Sequence, residues 1–297
     1  MNGCLTQKFK HTPSLSHMFI SFLKLGLTAF GGLANMAYIR RMVVEDKQWL
    51  DDETFLDGTA LCQIVPGSTT MQLAAYVGLR IGGITGAIVC LVGFGLPAFL
   101  LMMCLSTLYS KTQALPTAVS VFNGLQTIVV AIIANATFLF AETSLRNWSG
   151  LIIVGFAAIT FGMGTTPVAV ILLTGALGIV IFGDRQNEPQ KGVSIVQNIA
   201  PKRIVLLLSI VAFGLTLLYL CNQKLFDLAT TMAKIDLFAF GGGPASVPLM
   251  YHEVVEIRSW LDSSTLMNGI ALGQLTPGPV IITATFVGYL LYGPIGG

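Results

Sequence analysis

Charge is scarce in this sequence. Asp, Glu, Lys and Arg make up 10% of its 297 residues, against 54% hydrophobic. Soluble domains carry roughly 25% charged residues, so this chain has too few to cover a water-facing surface. A mean hydropathy of +0.78 agrees. The composition is that of an integral membrane protein, and the lipid bilayer is its first partner. The net charge of +2 carries no basic patch for nucleic acid. Histidine is also rare: His11, His17 and His252 form no ligand spacing, so no metal site is expected. The five cysteines, Cys4, Cys62, Cys90, Cys104 and Cys221, form no C-x-x-C pair, and packing accounts for them better than redox or metal chemistry. There is no nucleophile elbow, no metal cluster and no P-loop: Gly241-Gly242-Gly243-Pro244 lacks the Lys-Ser/Thr ending of a phosphate loop. The chain is not expected to be an enzyme or to hold a cofactor.

What the sequence does contain, it contains twice. From Phe30-Gly31-Gly32 to Pro66-Gly67 it reads much as it does from Phe240-Gly241-Gly242 to Pro277-Gly278. At an offset of 211, 11 of the 23 positions from 45 to 67 are identical, among them Trp49/Trp260, Asp51/Asp262, Gln63/Gln274 and Pro66/Pro277. On either side the offset is 210, pairing Lys24 with Lys234, Ala29 with Ala239 and Gly78 with Gly288. A period this long is not a solenoid unit. Internal repeats of several spans are a signature of secondary transporters.

The sequence divides into a polar arm over 1–16, a first repeat over 17–182, a loop and connecting helix over 183–227, and a second repeat over 228–297. No cleavable signal peptide is read. His17 to Ile39 is long enough to span the bilayer, but its glycine pair predicts two half-helices. Arg40 to Asp57 reads as an interfacial stretch, with Trp49 at headgroup level. Phe55 to Leu79 is apolar and broken at Pro66-Gly67. Ile84 to Tyr109 is expected to span with a kink near Pro97. Ala118 to Ala141 spans again between turns at 111–116 and 142–147. Trp148 to Phe182 folds as two short helices about a Gly162–Pro167 break. The loop from Gly183 to Arg203 is placed in the cytoplasm by its basic residues. Ile204 to Cys221 connects to the second repeat, which stops at Gly297, opposite residue 87. Nothing matches Ile88 through Phe182, so a homodimer or a partner half-transporter is an expected companion. Arg40, Arg41 and Lys47 stand in the first interfacial stretch against Arg258 alone in the second, which leans toward inverted repeats. The fold class is therefore all-α: a polytopic membrane protein with duplicated, inverted repeats and broken or re-entrant helices.

Candidate binding residues cluster at the breaks. Lys24 and Lys234 each stand six residues before a Phe-Gly-Gly element, inside apolar stretches. A lysine at the helix centre costs about 2.5–3.5 kcal/mol on insertion scales and commonly marks an ion path. The alternative is that its long side chain snorkels to the interface. Helices restarting after Gly31-Gly32, Pro66-Gly67, Gly241-Gly242-Gly243 and Pro277-Gly278 would aim free amides inward. Each such terminus resembles about half a positive charge and attracts anions. The alternative is that these residues only kink helices and permit close packing. Ser68, Thr69 and Thr70 add hydroxyls in the first copy. Gln63 and Gln274 are either amide donors or interhelical glue. Asp57, opposite Asn268, is a candidate proton-coupling carboxylate, although an interfacial Asp is usually just solvated.

Phe-Gly-Gly(-Gly-Pro), the downstream Trp-Leu-Asp, Gln-x-x-Pro-Gly(-Pro) and the later Val-Gly, present in both halves, resemble the chromate ion transporter family. The resemblance implies a multi-pass inner (plasma) membrane protein that exports chromate, driven by the proton motive force and conferring chromate resistance. It also implies two homologous, oppositely oriented halves, with sulfate as the similar competitor. The sequence departs from the pattern at Leu33, at Ser68 after Pro66-Gly67, and in its early stop. Transport of sulfate or another oxyanion, and a truncated membrane subunit unable to act alone, are the other readings.

Overall fold

The computed structural model describes residues 13–30, 34–112, 115–145, 147–182, 201–240 and 243–297. Among these residues there are helices and turns and no strand. Helix α1 spans Leu15–Thr28, with Ser14 as its cap accepting from the His17 amide at 3.3 Å. α2 covers Ala34–Arg40, and a wider, π-type turn continues it over Arg41–Asp46. α3 spans Asp52–Ile64, capped by Asp51, whose carboxylate accepts from the Thr54 amide at 3.0 Å. α4 runs from Thr69 to Thr112. α5 spans Pro116–Ser144, α6 Trp148–Gly162 and α7 Pro167–Phe182.

α8 spans Pro201–Cys221 and α9 Gln223–Phe238. α10 covers Gly243–Tyr251 and passes into a second π-type turn, His252–Ile257. α11 spans Ser263–Leu275, with Asp262 as its cap, and α12 spans Thr283–Tyr292. The series α1, α2, turn, α3, α4 therefore has a counterpart in α9, α10, turn, α11, α12. Unusual backbone conformations recur at the same offsets. Gln48 and Ser259 have φ of 51° and 49°, Gly67 and Gly278 have 109° and 114°, and Gly83 and Gly293 have 64° and 66°.

Two apolar cores follow this pattern. Met18, Phe22, Leu73, Val77 and Phe94 centre the first. Ile235, Met250, Val254, Leu266, Ile270 and Val287 centre the second. α1 lies so close along α4 that a Cβ on Gly26 would overlap the Phe94 carbonyl. Large apolar side chains are exposed over several of the described helices: Ile179 and Val180 on α7 are 75% and 81% exposed, and Phe213 on α8 is 70% exposed. Water would not tolerate such a continuous face, whereas acyl chains match it. α4, which is interrupted at Gly82 and Gly83, contains the one helical run among the described residues that is long and apolar enough to cross a membrane.

Several expected boundaries move. Trp49 does not lie on an interfacial surface; it is 6% exposed and meets His17 edge-on at 5.6 Å. Non-helical backbone at Gly82 and Gly83 stands just before the expected helix start at Ile84, and Pro97 sits inside α4. Gly83, at φ 64° and ψ −153°, adopts a conformation open to glycine and strained for other residues. The polar stretches at 111–116 and 142–147 are shorter as turns than expected, because α4 runs to Thr112 and α5 to Ser144. Helical hydrogen bonding extends into polar residues once an apolar face is anchored. The hairpin of α6 and α7 turns where glycine and proline interrupt the run, over Met163–Thr166. Residues 183–200 of the expected cytoplasmic loop lie outside the described residues.

Candidate functional site

Four chain breaks meet in pairs. α1 stops at Thr28 and α2 starts at Ala34; α9 stops at Phe238 and α10 starts at Gly243. α3 stops at Ile64 and α4 starts at Thr69; α11 stops at Leu275, and a short turn leads into α12. Gly31, Gly32, Gly241 and Gly242, four of the candidate donors, lie outside the described residues. Gly243 is the first residue of α10, and its carbonyl accepts from the Ser246 hydroxyl at 2.6 Å.

The breaks are joined crosswise. The Gly67 amide donates to the Ala239 carbonyl at 3.0 Å, and the Gly278 amide donates to the Ala29 carbonyl at 3.0 Å. Each Pro-Gly turn thus docks on the residue just before the Phe-Gly-Gly element of the other half. A reciprocal exchange of this kind is what a two-fold relation between two similar units produces. Pro277 and Gly278 are buried, and the Asn35 side-chain amide donates to the Gly278 carbonyl at 2.9 Å. At the other turn the Gln72 amide donates to the Pro66 carbonyl at 2.5 Å. The amides of Gly67 and Gly278 are therefore already engaged.

Helix α4 begins against this junction. Thr69 and Thr70 are buried, and the Ser68 and Thr70 hydroxyls lie 3.3 Å apart. Gln63 is exposed at the end of α3 and Gln274 is half-buried in α11. Among the described residues neither glutamine side chain makes a hydrogen bond.

The two lysines differ in their surroundings. Lys234 Nζ lies 2.6 Å from Glu253 Oε1; the Glu253 side chain is 7% exposed and that of Lys234 is 49% exposed. Lys24 is exposed on α1, and its ammonium has no ion pair or hydrogen bond among the described residues. Glu253, in the second π-type turn, matches Met42 in the first. One lysine therefore has a counter-charge, and the other has none among the described residues.

Asp57 and Asn268 differ likewise. Asn268 is buried, accepts from Gln126 Nε2 at 2.8 Å and donates to Tyr109 Oη at 3.2 Å, tying α11 to α5 and α4. Asp57 is half-buried and has no hydrogen bond or ion pair among the described residues. No group of three or more His, Cys, Asp or Glu side chains that could hold a metal ion occurs among the described residues.

Sequence reasoning missed Glu253, Asn35, Gln72 and Asp236. Glu253 was detectable as an acid in a run that is otherwise apolar before it. Asn35 and Gln72 each follow a break by a few residues, where a side-chain amide can reach the freed backbone carbonyls. Asp236 lies two residues past Lys234, in a stretch read only for its lysine.

The profile of the chromate transporter family matches residues 16–179 and 226–297. The chain belongs to the chromate transporter family. It is 43% identical to an uncharacterised transporter of Methanocaldococcus jannaschii over 291 residues, covering 97% of this chain and 72% of that protein. It is 32% identical to the chromate transport protein of Cupriavidus metallidurans over 296 residues, covering 95% and 69%. It is 30% identical to the chromate transport protein of Pseudomonas aeruginosa over 291 residues, covering 96% and 69%. No solved structure matches. Family membership makes this a membrane protein of chromate transport, of a transporter and not an enzyme family, with a tetrahedral oxyanion as the substrate it suggests.

Proposed function

We propose that this chain is a secondary transporter of the plasma membrane that moves chromate outward, with its two halves forming inverted repeats around the crossed breaks. The observation that carries this reading is the reciprocal pairing of Gly67 with Ala239 and Gly278 with Ala29. It brings both interrupted segments to one junction, as in transporters that bind substrate at discontinuous helices. The anion lies by the start of α4, where Ser68, Thr69 and Thr70 present hydroxyls and the helix terminus contributes about half a positive charge. Gly243, the first residue of α10, and the candidate donors Gly31, Gly32, Gly241 and Gly242 of the same sequence elements complete the proposed binding set.

Lys24 supplies the uncompensated positive charge. Lys234 is held by Glu253, and its part is to keep the second half folded around that carboxylate. A dianion buried without such partners would be prohibitively unstable. Pro66, Pro277 and Gly278 shape the junction, while Gln63 and Gln274 stand at its edge.

Growth in chromate tests direction. Cells expressing the chain are expected to tolerate more chromate and to accumulate less of it than cells without. Greater accumulation would assign uptake instead, and equal accumulation would remove chromate flux from the account. Radiolabelled chromate and sulfate in vesicles then separate the two oxyanions.

A further inference from the structure

The two halves present one helix surface twice and cover it once. In the second half, α11 is held between α12 and α5. Gln126 of α5 donates through Nε2 to Asn268 Oδ1 at 2.8 Å and to Ser264 Oγ at 3.1 Å. Val129, one turn on, is buried in the second apolar core. Under this cover Asn268, Ala271 and Leu272 are buried. α3 carries the matching positions at the offset of 211: Glu53 for Ser264, Asp57 for Asn268, Ala60 for Ala271 and Leu61 for Leu272. It rests mainly on α4. Glu53, Leu56, Ala60, Gln63 and Ile64 form an exposed stripe at helical spacing, with Asp57 half-buried at its edge. Leu56 and Ile64 are 55% and 72% exposed. Ala60 is open where the identical Ala271 is buried, so the difference lies in the neighbouring helix and not in the residue.

Acyl chains match Leu56 and Ile64 but not the acids beside them. Asp57 stands more than a turn into α3 and has no hydrogen bond or ion pair among the described residues. Ionised side chains are unfavourable in hydrocarbon and pair with others where they occur there. Glu53, one turn earlier, adds a second carboxylate to the same face. A two-fold contact of α3 with α3 of a second copy would set these acids against one another, which opposes that pairing. The α5 of a second copy is already engaged with its own α11.

We propose that the open face of α3 docks a transmembrane helix of a different membrane subunit, apolar like α5 and carrying one Arg or Lys at the level of Asp57. The contact of α5 with α11 is the template. There a side-chain amide, Gln126, meets a side-chain amide, Asn268. On α3 the matching acceptor is a carboxylate, with Glu53 beside it, and a cationic donor complements the pair. The inference needs a membrane setting and does not depend on the transport reading.

The probe is a synthetic helix of residues 113–147 carrying Gln126→Arg, placed in nanodiscs with the purified full chain. Binding is read by energy transfer between labels on the two. Saturable binding is expected. Gln126→Leu in the peptide, or Asp57→Asn in the chain, is expected to raise Kd about tenfold, the equivalent of one hydrogen bond to a charged group. Ala60→Trp adds bulk in the middle of the exposed stripe and is expected to abolish binding. Equal binding of the Arg and Leu peptides would overturn the proposal, as would no saturable binding. Binding indifferent to both Asp57 and Ala60 would mean exchange with the chain's own α5 on α11 and would also overturn it. Self-association of the chain without peptide, lost in Ala60→Trp, would assign the face to a second copy instead. If Asp57→Asn does not fold, the two peptides on wild type and on Ala60→Trp decide. Chromate enters none of these readouts, so failure of flux in vesicles would count against the transport reading alone.

Discussion

Replacing Lys234 by methionine should reveal what its ion pair does. The substitution keeps the aliphatic stem and removes the ammonium 2.6 Å from Glu253 Oε1. Glu253 is then left as a buried carboxylate, its side chain 7% exposed, with no other ion-pair partner among the described residues. Removing one partner of a fully buried pair destabilises by about 3–5 kcal/mol. Lys234 is 49% exposed, so solvent screening reduces the expected loss to about 2 kcal/mol. For a chain of this size that is a Tm drop of about 4–8 °C. The double variant Lys234→Met/Glu253→Gln removes both charges and should recover all but about 1 kcal/mol. Thermal unfolding of the three proteins in nanodiscs makes the comparison. A single variant as stable as wild type, or a double variant no better than the single, would refute the assignment of Lys234 to a neutralising pair. The result also decides how transport data are read, because loss of flux in Lys234→Met includes loss of folded protein.

Lys24→Met has no ion pair to break among the described residues. Its stability should stay within about 0.5 kcal/mol of wild type, while chromate flux is lost; retained flux would remove Lys24 from the anion path. Gly278→Ala should destabilise more than Gly67→Ala, measured by thermal unfolding. Both residues have positive φ, 114° and 109°, worth about 1–2 kcal/mol against an L side chain. The added methyl at Gly278 would lie 2.7 Å from Ala98 Cβ, whereas at Gly67 it meets the movable Gln72 amide at 3.1 Å. At the α11 cap, hydrogen bonds from Thr265 hold the Asp262 carboxyl below the usual carboxylate range. The folded value lies below the unfolded one, so the cap's contribution is full above the unfolded value near ~4 and is lost as pH falls through the folded value. Asp262→Ala should therefore destabilise by about 1 kcal/mol at neutral pH, and the difference should vanish in strong acid.

The helical character and the break positions were legible because both rest on local chemistry. Proline lacks an amide and glycine adopts positive φ, so Pro66-Gly67 and Pro277-Gly278 could be marked from sequence. Asp51 and Asp262 were marked only as matched positions, and the structure shows each to be a helix cap whose carboxylate accepts from the amide of the threonine three residues on. What joins distant segments was not legible. Nothing in Ala29 or Ala239 reveals that its carbonyl receives an amide from the other half. The pairing of Lys234 with Glu253 depends on a π-type turn bringing Glu253 inward, and no local pattern specifies that turn. Trp49 was read by its residue type as interfacial, yet tertiary packing against His17 and the first core draws it inside. The break at Gly82-Gly83, just before the expected helix start at Ile84, was legible for the same local reason as the Pro-Gly turns, and Pro97 is accommodated within α4.

The most direct measurement is chromate flux into liposomes holding only this 297-residue chain. Saturable flux is expected, inhibited by sulfate and not by chloride, and abolished in Lys24→Met protein that unfolds at the wild-type temperature. Flux that is absent in wild type, or indifferent to both sulfate and Lys24, would contradict the claim that the crossed breaks bind a tetrahedral dianion.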